Sequence, residues 1–329
     1  MFNTLKIAGM EIYPGKRKKT MIKVGELPDS SNVYVPFIVV NGKEDGPILV
    51  LRGGEHGSEY CGQEQVRTAA LEVDPEKLSG SIIALPNCNP LAYQSGTYKN
   101  IKVYDNSIGE NINYPGDPNG NFDQRVANLI WKEALSKADV TLSMHDGATH
   151  WIARYITNIS NTINKKELGE KSLQIVKAFG VGLPIDYNEV PEYSGYRAEL
   201  LKQNIPFMTI ELGGMRCLWS KDCSDGIKGI TNVMKHLNMI NGDPEPSEQI
   251  IFKEKILIRC EHGGVLKPAF SPLDIPLIVE EEEELCTITN LLGDELEVLR
   301  SPFKGVVFCA RSNCATHTGD WLYGIGKVN

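Results

Sequence analysis

Gly53-Gly54-Glu55-His56-Gly57-Ser58-Glu59 follows directly on the apolar run Pro47-Ile48-Leu49-Val50-Leu51 and sets an imidazole and a carboxylate three residues apart. The position is where a buried strand stops and the next helix begins. Imidazole nitrogen and carboxylate oxygen are both zinc donors, and a catalytic zinc takes about three protein ligands while keeping one position for water. His56 and Glu59 are therefore half of a candidate zinc site, and a third ligand has to come from elsewhere in the chain. A plain helix end would also suit these two residues, so the motif alone leaves both readings open. Two more apolar stretches end in ionisable residues followed by glycine. Ala138-Asp139-Val140-Thr141-Leu142-Ser143-Met144 runs into His145-Asp146-Gly147, and Pro206-Phe207-Met208-Thr209-Ile210 runs into Glu211-Leu212-Gly213-Gly214. Core packing does not require such endings.

The elements that would position these residues follow from periodicity. Ile48 to Leu51, Ser81 to Leu85, Val140 to Met144 and Phe207 to Leu212 are β-type runs, and segments 59–72, 121–137, 164–179 and 222–238 have helical length and periodicity. This alternation predicts an α/β domain with a largely buried sheet, in which ligands sit beyond the carboxyl ends of the strands. Asn241-Gly242-Asp243-Pro244-Glu245-Pro246-Ser247 reads as a linker. Beyond it come short strand-like runs punctuated by glycine, among them Ile256 to Arg259, Leu285 to Thr289, Val306 to Cys309 and Trp321 to Ile325. The expected division is a catalytic domain over 1–245 and a smaller all-β domain over 246–329.

A net charge of −8 over 329 residues argues against nucleic-acid binding. Lys16-Arg17-Lys18-Lys19 is expected to be a solvated turn, and Glu280 to Glu284 a solvated turn or edge. The eight cysteines form no Cys-x-x-Cys pair and read as reduced thiols. Residues 1–6 lack a signal-peptide layout and no stretch approaches the roughly 18 apolar residues of a membrane span, so a cytoplasmic protein with no membrane partner is expected.

The order His-x-x-Glu, a distant strand-terminal His-Asp-Gly and then Ile-Glu-Leu-Gly-Gly resembles the succinylglutamate desuccinylase/aspartoacylase family, which has a zinc carboxypeptidase-like fold. Leu85-Pro86-Asn87-Cys88-Asn89-Pro90-Leu91-Ala92-Tyr93 is similar to the strand and turn after that family's first helix. Asn111-Ile112-Asn113-Tyr114-Pro115-Gly116 is similar to its Asn-Arg-x-Phe-Pro-Gly segment, and the tail with Gly263-Gly264 and Gly319-Asp320-Trp321-Leu322 resembles its C-terminal domain. The likeness spans nearly the whole chain. It implies an α/β mixed sheet flanked by helices with an all-β C-terminal domain, one Zn²⁺ per chain held by His56, Glu59 and His145, and Glu211 as general base. The implied activity is hydrolysis of an amide bond that removes an acyl group from a small N-acyl amino acid or related compound. Asp146 would either orient an imidazole or simply form a turn.

Two family arginines are missing. The first, which steadies the oxyanion, falls near Tyr98-Lys99, and the second, which holds a substrate carboxylate, falls on Ile112. Lysine or isoleucine cannot reproduce a planar guanidinium fork, so either another cation such as Lys99, Arg154 or Arg197 takes over or the substrate lacks the usual carboxylate. Asn111 and His150 complete the set of candidate substrate-binding residues. Tyr193 and Tyr196 precede the Glu211 strand and are expected to pack. The alternatives are a metallocarboxypeptidase acting on a peptide or peptidoglycan fragment and a catalytically silent zinc-bound binding protein. A small molecule is the expected partner, with a homo-oligomer open.

Overall fold

The computed structural model describes residues 4–99 and 114–328. A small hairpin of β1 (Leu5–Ile7) and β2 (Met10–Ile12) precedes a long one of β3 (Lys16–Glu26) and β4 (Asn32–Asn41). Then come β5 (Glu44–Gly53), α1 (Tyr60–Glu72), β6 (Ser79–Leu85), α2 (Pro90–Ser95), α3 (Phe122–Glu133), β7 (Val140–His145), β8 (Trp151–Thr157), α4 (Lys166–Phe179), β9 (Ile185–Asp186), α5 (Gly195–Lys202), β10 (Phe207–Gly214) and α6 (Ser220–His236). The rest is strand apart from a short 3-10 turn at Pro272–Asp274. Its strands are β11 (Ile251–Phe252), β12 (Lys255–Arg259), β13 (Gly264–Pro268), β14 (Leu277–Val279), β15 (Glu284–Thr289), β16 (Glu295–Arg300), β17 (Gly305–Arg311), β18 (Ala315–Thr316) and β19 (Trp321–Lys327).

The expected α/β mixed sheet flanked by helices is present. Parallel strands in the order β6, β5, β7 and β10 form its centre, and antiparallel strands extend it on both sides. Side chains alternate between two cores with the period of two that a strand imposes. Leu49 and Leu51 join Val66, Ile175 and Ile230 under α1, α4 and α6, whereas Val50 joins Val126, Ile130 and Leu200 under α3 and α5. Burying each such aliphatic side chain contributes roughly 1.5–3 kcal/mol, which accounts for why these continuous apolar runs sit at the sheet centre. Two helix starts are locally encoded: Asn121 and Gln124 form a reciprocal capping box on α3, and Asn89 caps α2 ahead of Pro90.

Apart from β11, which pairs parallel with β9, the C-terminal strands pair antiparallel. A four-stranded sheet, β16-β15-β13-β18, stands apart, while β17, β19 and β12 continue the main sheet outward from β8. One expectation is corrected. Lys16-Arg17-Lys18-Lys19 is not a turn but the start of the edge strand β3, paired to Val39 and Val40 of β4, and its charges discourage another strand from pairing there. The Glu280 to Glu283 segment is an exposed turn before β15. All eight cysteines are free thiols. No described helix is long and apolar enough to cross a membrane.

Candidate metal centre

The loop between β5 and α1 is pressed flat against α2. A Cβ on Gly57 would sit 2.0 Å from the Ala92 carbonyl carbon, so only glycine fits between His56 and Glu59. In that loop His56 Nδ1 faces Glu59 Oε1 at 2.7 Å, and the other carboxylate oxygen, Oε2, lies 2.8 Å from His145 Nδ1. One ligand atom from each of His56, Glu59 and His145 comes within 4.8 Å of the others. Register supplies the fourth residue. Glu211 on β10 is the direct partner of His145 on parallel β7, and of Tyr155 on β8 across the other edge. The structure thus brings together the residues that lie more than 150 positions apart in sequence.

The donor set fits a divalent cation. Two Nδ1 atoms converge on one buried carboxylate, and Glu59 Oε2, although close to an imidazole, takes part in no hydrogen bond. Two nitrogens and an oxygen make a three-donor set with room for a divalent metal and one further ligand. Burial raises the Glu211 carboxyl, and the Glu59 charge beside it adds to this against the pull of the imidazoles, giving about 7. Burial disfavours a charged His145, yet Glu59 and Glu55 on either side of the ring hold its pKa well above the usual range. Asp146 does not orient an imidazole. Its oxygens accept the Cys61 and Ala148 backbone N–H groups at 2.9 and 2.8 Å, which makes it a cap for the start of α1, and burial holds its carboxyl high.

Beside Glu59 and Glu211 opens a cavity of about 520 Å³. Its far wall comes from the C-terminal strands, with Lys255, Leu257, Phe308, Cys309 and Trp321 facing the pocket. Tyr98 covers the near side, its ring stacked on His56 at 3.7 Å. A larger groove of about 640 Å³ lies on the other side of α1, lined by residues such as Tyr34, Arg67 and Tyr93, away from this cluster.

The other sequence candidates separate here. Arg154 points away from the cavity and is fully engaged: Nε and Nη2 clasp Asp222 at 2.9 and 3.1 Å, and Nη1 donates to the carbonyls of Leu273 and Ile275. Alternation along β8 causes this, since Ala153 and Tyr155 take the cavity face. Lys99 is exposed and lines no part of the cavity. His150 lines the cavity rim, with its ring against Asn313. Arg197 donates to the Tyr196 hydroxyl at 3.0 Å and lies close enough to Glu55 and Tyr98 to affect both. Asn111 lies outside the described residues. Tyr193 and Tyr196 are buried, as expected of packing residues.

Sequence reading passed over Glu55, Arg52 and Lys255. Glu55 is 4% exposed inside the histidine motif itself, near the wholly buried Arg52. Burial alone would raise the Glu55 carboxyl, but Arg52 and His145 hold it well below the usual range. The signal was present in the run Leu49-Val50-Leu51-Arg52-Gly53, where an arginine inside an apolar strand demands a buried partner.

Residues 45–237 match the family described as the succinylglutamate desuccinylase/aspartoacylase catalytic domain. A curated relative, the N-alpha-acetyl-L-2,4-diaminobutyric acid deacetylase of Halomonas elongata, is 27% identical over 243 residues, covering 71% of this chain and 69% of that protein. Among solved structures, a succinylglutamate desuccinylase from a Silicibacter species superposes with a TM-score of 0.82 at 21% identity over 95% of both chains. The product-bound ectoine utilization protein EutE (DoeB) of Ruegeria pomeroyi gives 0.81 at 21% identity over 99% of both. These structural likenesses establish the fold.

Proposed function

This chain belongs to the succinylglutamate desuccinylase/aspartoacylase family, and we propose that it is a zinc-dependent hydrolase that removes the acyl group from a small N-acyl amino acid or related N-acyl compound. The observation that supports this most is the convergence of His56, Glu59 and His145 beside a Glu211 whose carboxylate is pushed up to about 7. His56, Glu59 and His145 hold the metal, one zinc per chain. Zinc at such a site acidifies a bound water and polarises a carbonyl oxygen. Glu211 takes the proton from the attacking water and returns it to the departing amine nitrogen, a task suited to a carboxylate whose pKa lies near neutrality. The fit of an N-acyl amino acid rests on the deacetylase relative and on the cavity, whose lining combines aromatic and aliphatic side chains with one lysine. Among the described residues lining it, Lys255 alone is a lysine or arginine.

We assign Lys255 the substrate carboxylate that the second missing family arginine would otherwise hold. Its ammonium is anchored by the buried Asp186, which also accepts from Thr157, so the cation stands at a fixed place. His150 at the cavity rim and Arg197 near Tyr98 remain secondary candidate contacts. The division at 245/246 then has a functional sense, with chemistry from the first part and substrate reading from the second, and a cytoplasmic setting with free thiols is part of the same reading. The test is amine release from a panel of N-acetyl and N-succinyl amino acids against short peptides. Zinc-dependent release from the N-acyl compounds is expected; turnover of peptides alone, or none after metal loading, overturns the proposal.

A further inference from the structure

His145 is bracketed by two carboxylates. Glu59 faces Nδ1 at 2.8 Å, and on the opposite side of the ring Glu55 Oε2 lies 3.5 Å from Nε2. Glu55 is itself bracketed, with Arg52 Nη2 at 3.4 Å from the same oxygen. Neither Glu55 oxygen enters a regular hydrogen bond, and the side chain is sealed from solvent. The chain Arg52, Glu55, His145 runs from the sheet into the site. Each link is fixed elsewhere: the Arg52 guanidinium lies over the Tyr196 ring at 3.9 Å, and the Glu55 carbonyl accepts from Asn89, the residue that caps α2.

We propose that Glu55 is a positioning residue for the metal site, holding His145 in the tautomer whose Nδ1 lone pair faces the cation, with Arg52 holding Glu55 in turn. This rests on the reading of His56, Glu59 and His145 as metal ligands. The nearer neighbour of Nε2 is the Ser143 hydroxyl at 2.9 Å, but a hydroxyl can donate to a bare nitrogen or accept from a protonated one, so it does not select a tautomer. An ionised carboxylate accepts only. Beside it, Nε2 must carry the proton; Nδ1, which faces the Glu59 carboxylate at 2.8 Å, offers its lone pair once a cation stands between the two. A cation on Nδ1 makes the Nε2–H a stronger donor and the carboxylate a better partner, so the contact tightens in the loaded protein. A buried carboxylate also costs free energy without a compensating charge, and Arg52 supplies it.

The experiment is zinc titration of the full chain, stripped with a chelator, in competition with a chromophoric chelator. Glu55→Gln keeps the shape but offers an amide that both donates and accepts, and we expect zinc affinity to fall about 10–100-fold; the change also takes a carboxylate from the buried Arg52, so the metal-free protein is expected to melt lower, and the titration is run below that melting temperature. Ser143→Ala is expected to lose less. Affinity for Glu55→Gln within about threefold of wild type, well under the usual loss for such partners, overturns the proposal, as does a loss confined to Ser143→Ala. Should Glu55→Gln fail to fold, Glu55→Asp carries the same test: a several-fold loss supports the role and unchanged affinity overturns it. Absence of zinc binding by the wild type would instead sink the reading of the ligands themselves.

Discussion

Glu211 must be ionised to accept a proton, yet it is held where ionisation is disfavoured, by burial and by the Glu59 carboxylate. Replacing it by Gln should lower kcat by about 10²–10⁴-fold with zinc content unchanged, measured by steady-state kinetics beside metal analysis. The same strain gives a stability signature in the metal-free protein. The folded pKa of about 7 lies above the ordinary 4.5, so the proton favours the fold; that stabilisation is complete below about pH 4.5 and is lost as pH rises through about 7. Metal-free Glu211→Gln should therefore be more stable than wild type above pH 7, by at most about 3 kcal/mol, with the advantage vanishing near pH 4.5. Melting curves across that range check it, and an offset independent of pH would contradict it. His56, Glu59, His145 and Glu211 were legible because each stands where an apolar run breaks into an ionisable residue and glycine. Glu55 was not, because a carboxylate in a loop looks like any solvated one until its burial is known. Lys255 was hidden by distance: nothing local in Phe252-Lys253-Glu254-Lys255-Ile256 marks one lysine as facing a cavity built by the other end of the chain.

Strand register does the assembling at the level of elements. Parallel pairing of β7 and β10 sets His145 beside Glu211, and antiparallel β8 then presents Tyr155 to the cavity and Arg154 to the opposite side, against α6 and the 3-10 turn. Arg154 is thus a structural clasp between the first part of the chain and the C-terminal strands. Arg154→Met leaves Asp222, 1% exposed, without its partner, and should cost about 3–5 kcal/mol of stability while KM for the substrate stays unchanged; a raised KM at undiminished melting temperature would restore it to substrate binding. The sequence pointed to Arg154 through nearness to His145, and the two-residue alternation of a strand decided otherwise. Apolar runs such as Ile48 to Leu51 made the central strands plain. β3 and β8 were not seen, because lysine, threonine and arginine in their runs break the continuous apolar signal.

Across the described residues, one sheet runs from the helix-flanked centre into the C-terminal strands, so the candidate metal ligands and the far wall of the cavity stand on the same sheet. Sequence showed the all-β tail but not that five of its strands would join the main sheet, since pairing between β8 and β17 is a long-range choice with no local mark. Lys255→Gln, which can still bond to Asp186, should raise KM by about 10–100-fold, the worth of a charged hydrogen bond, for N-acyl compounds bearing a carboxylate, and leave kcat and uncharged analogues nearly untouched. The most direct measurement is zinc titration into chelator-stripped protein with amide hydrolysis of an N-acyl amino acid followed at every point. Activity should rise in proportion to zinc and level off at about one ion per chain, as three protein ligands require, with Glu59→Ala showing neither binding nor activity. Hydrolysis that persists in stripped protein, or that is undiminished in Glu59→Ala, would contradict the zinc site outright.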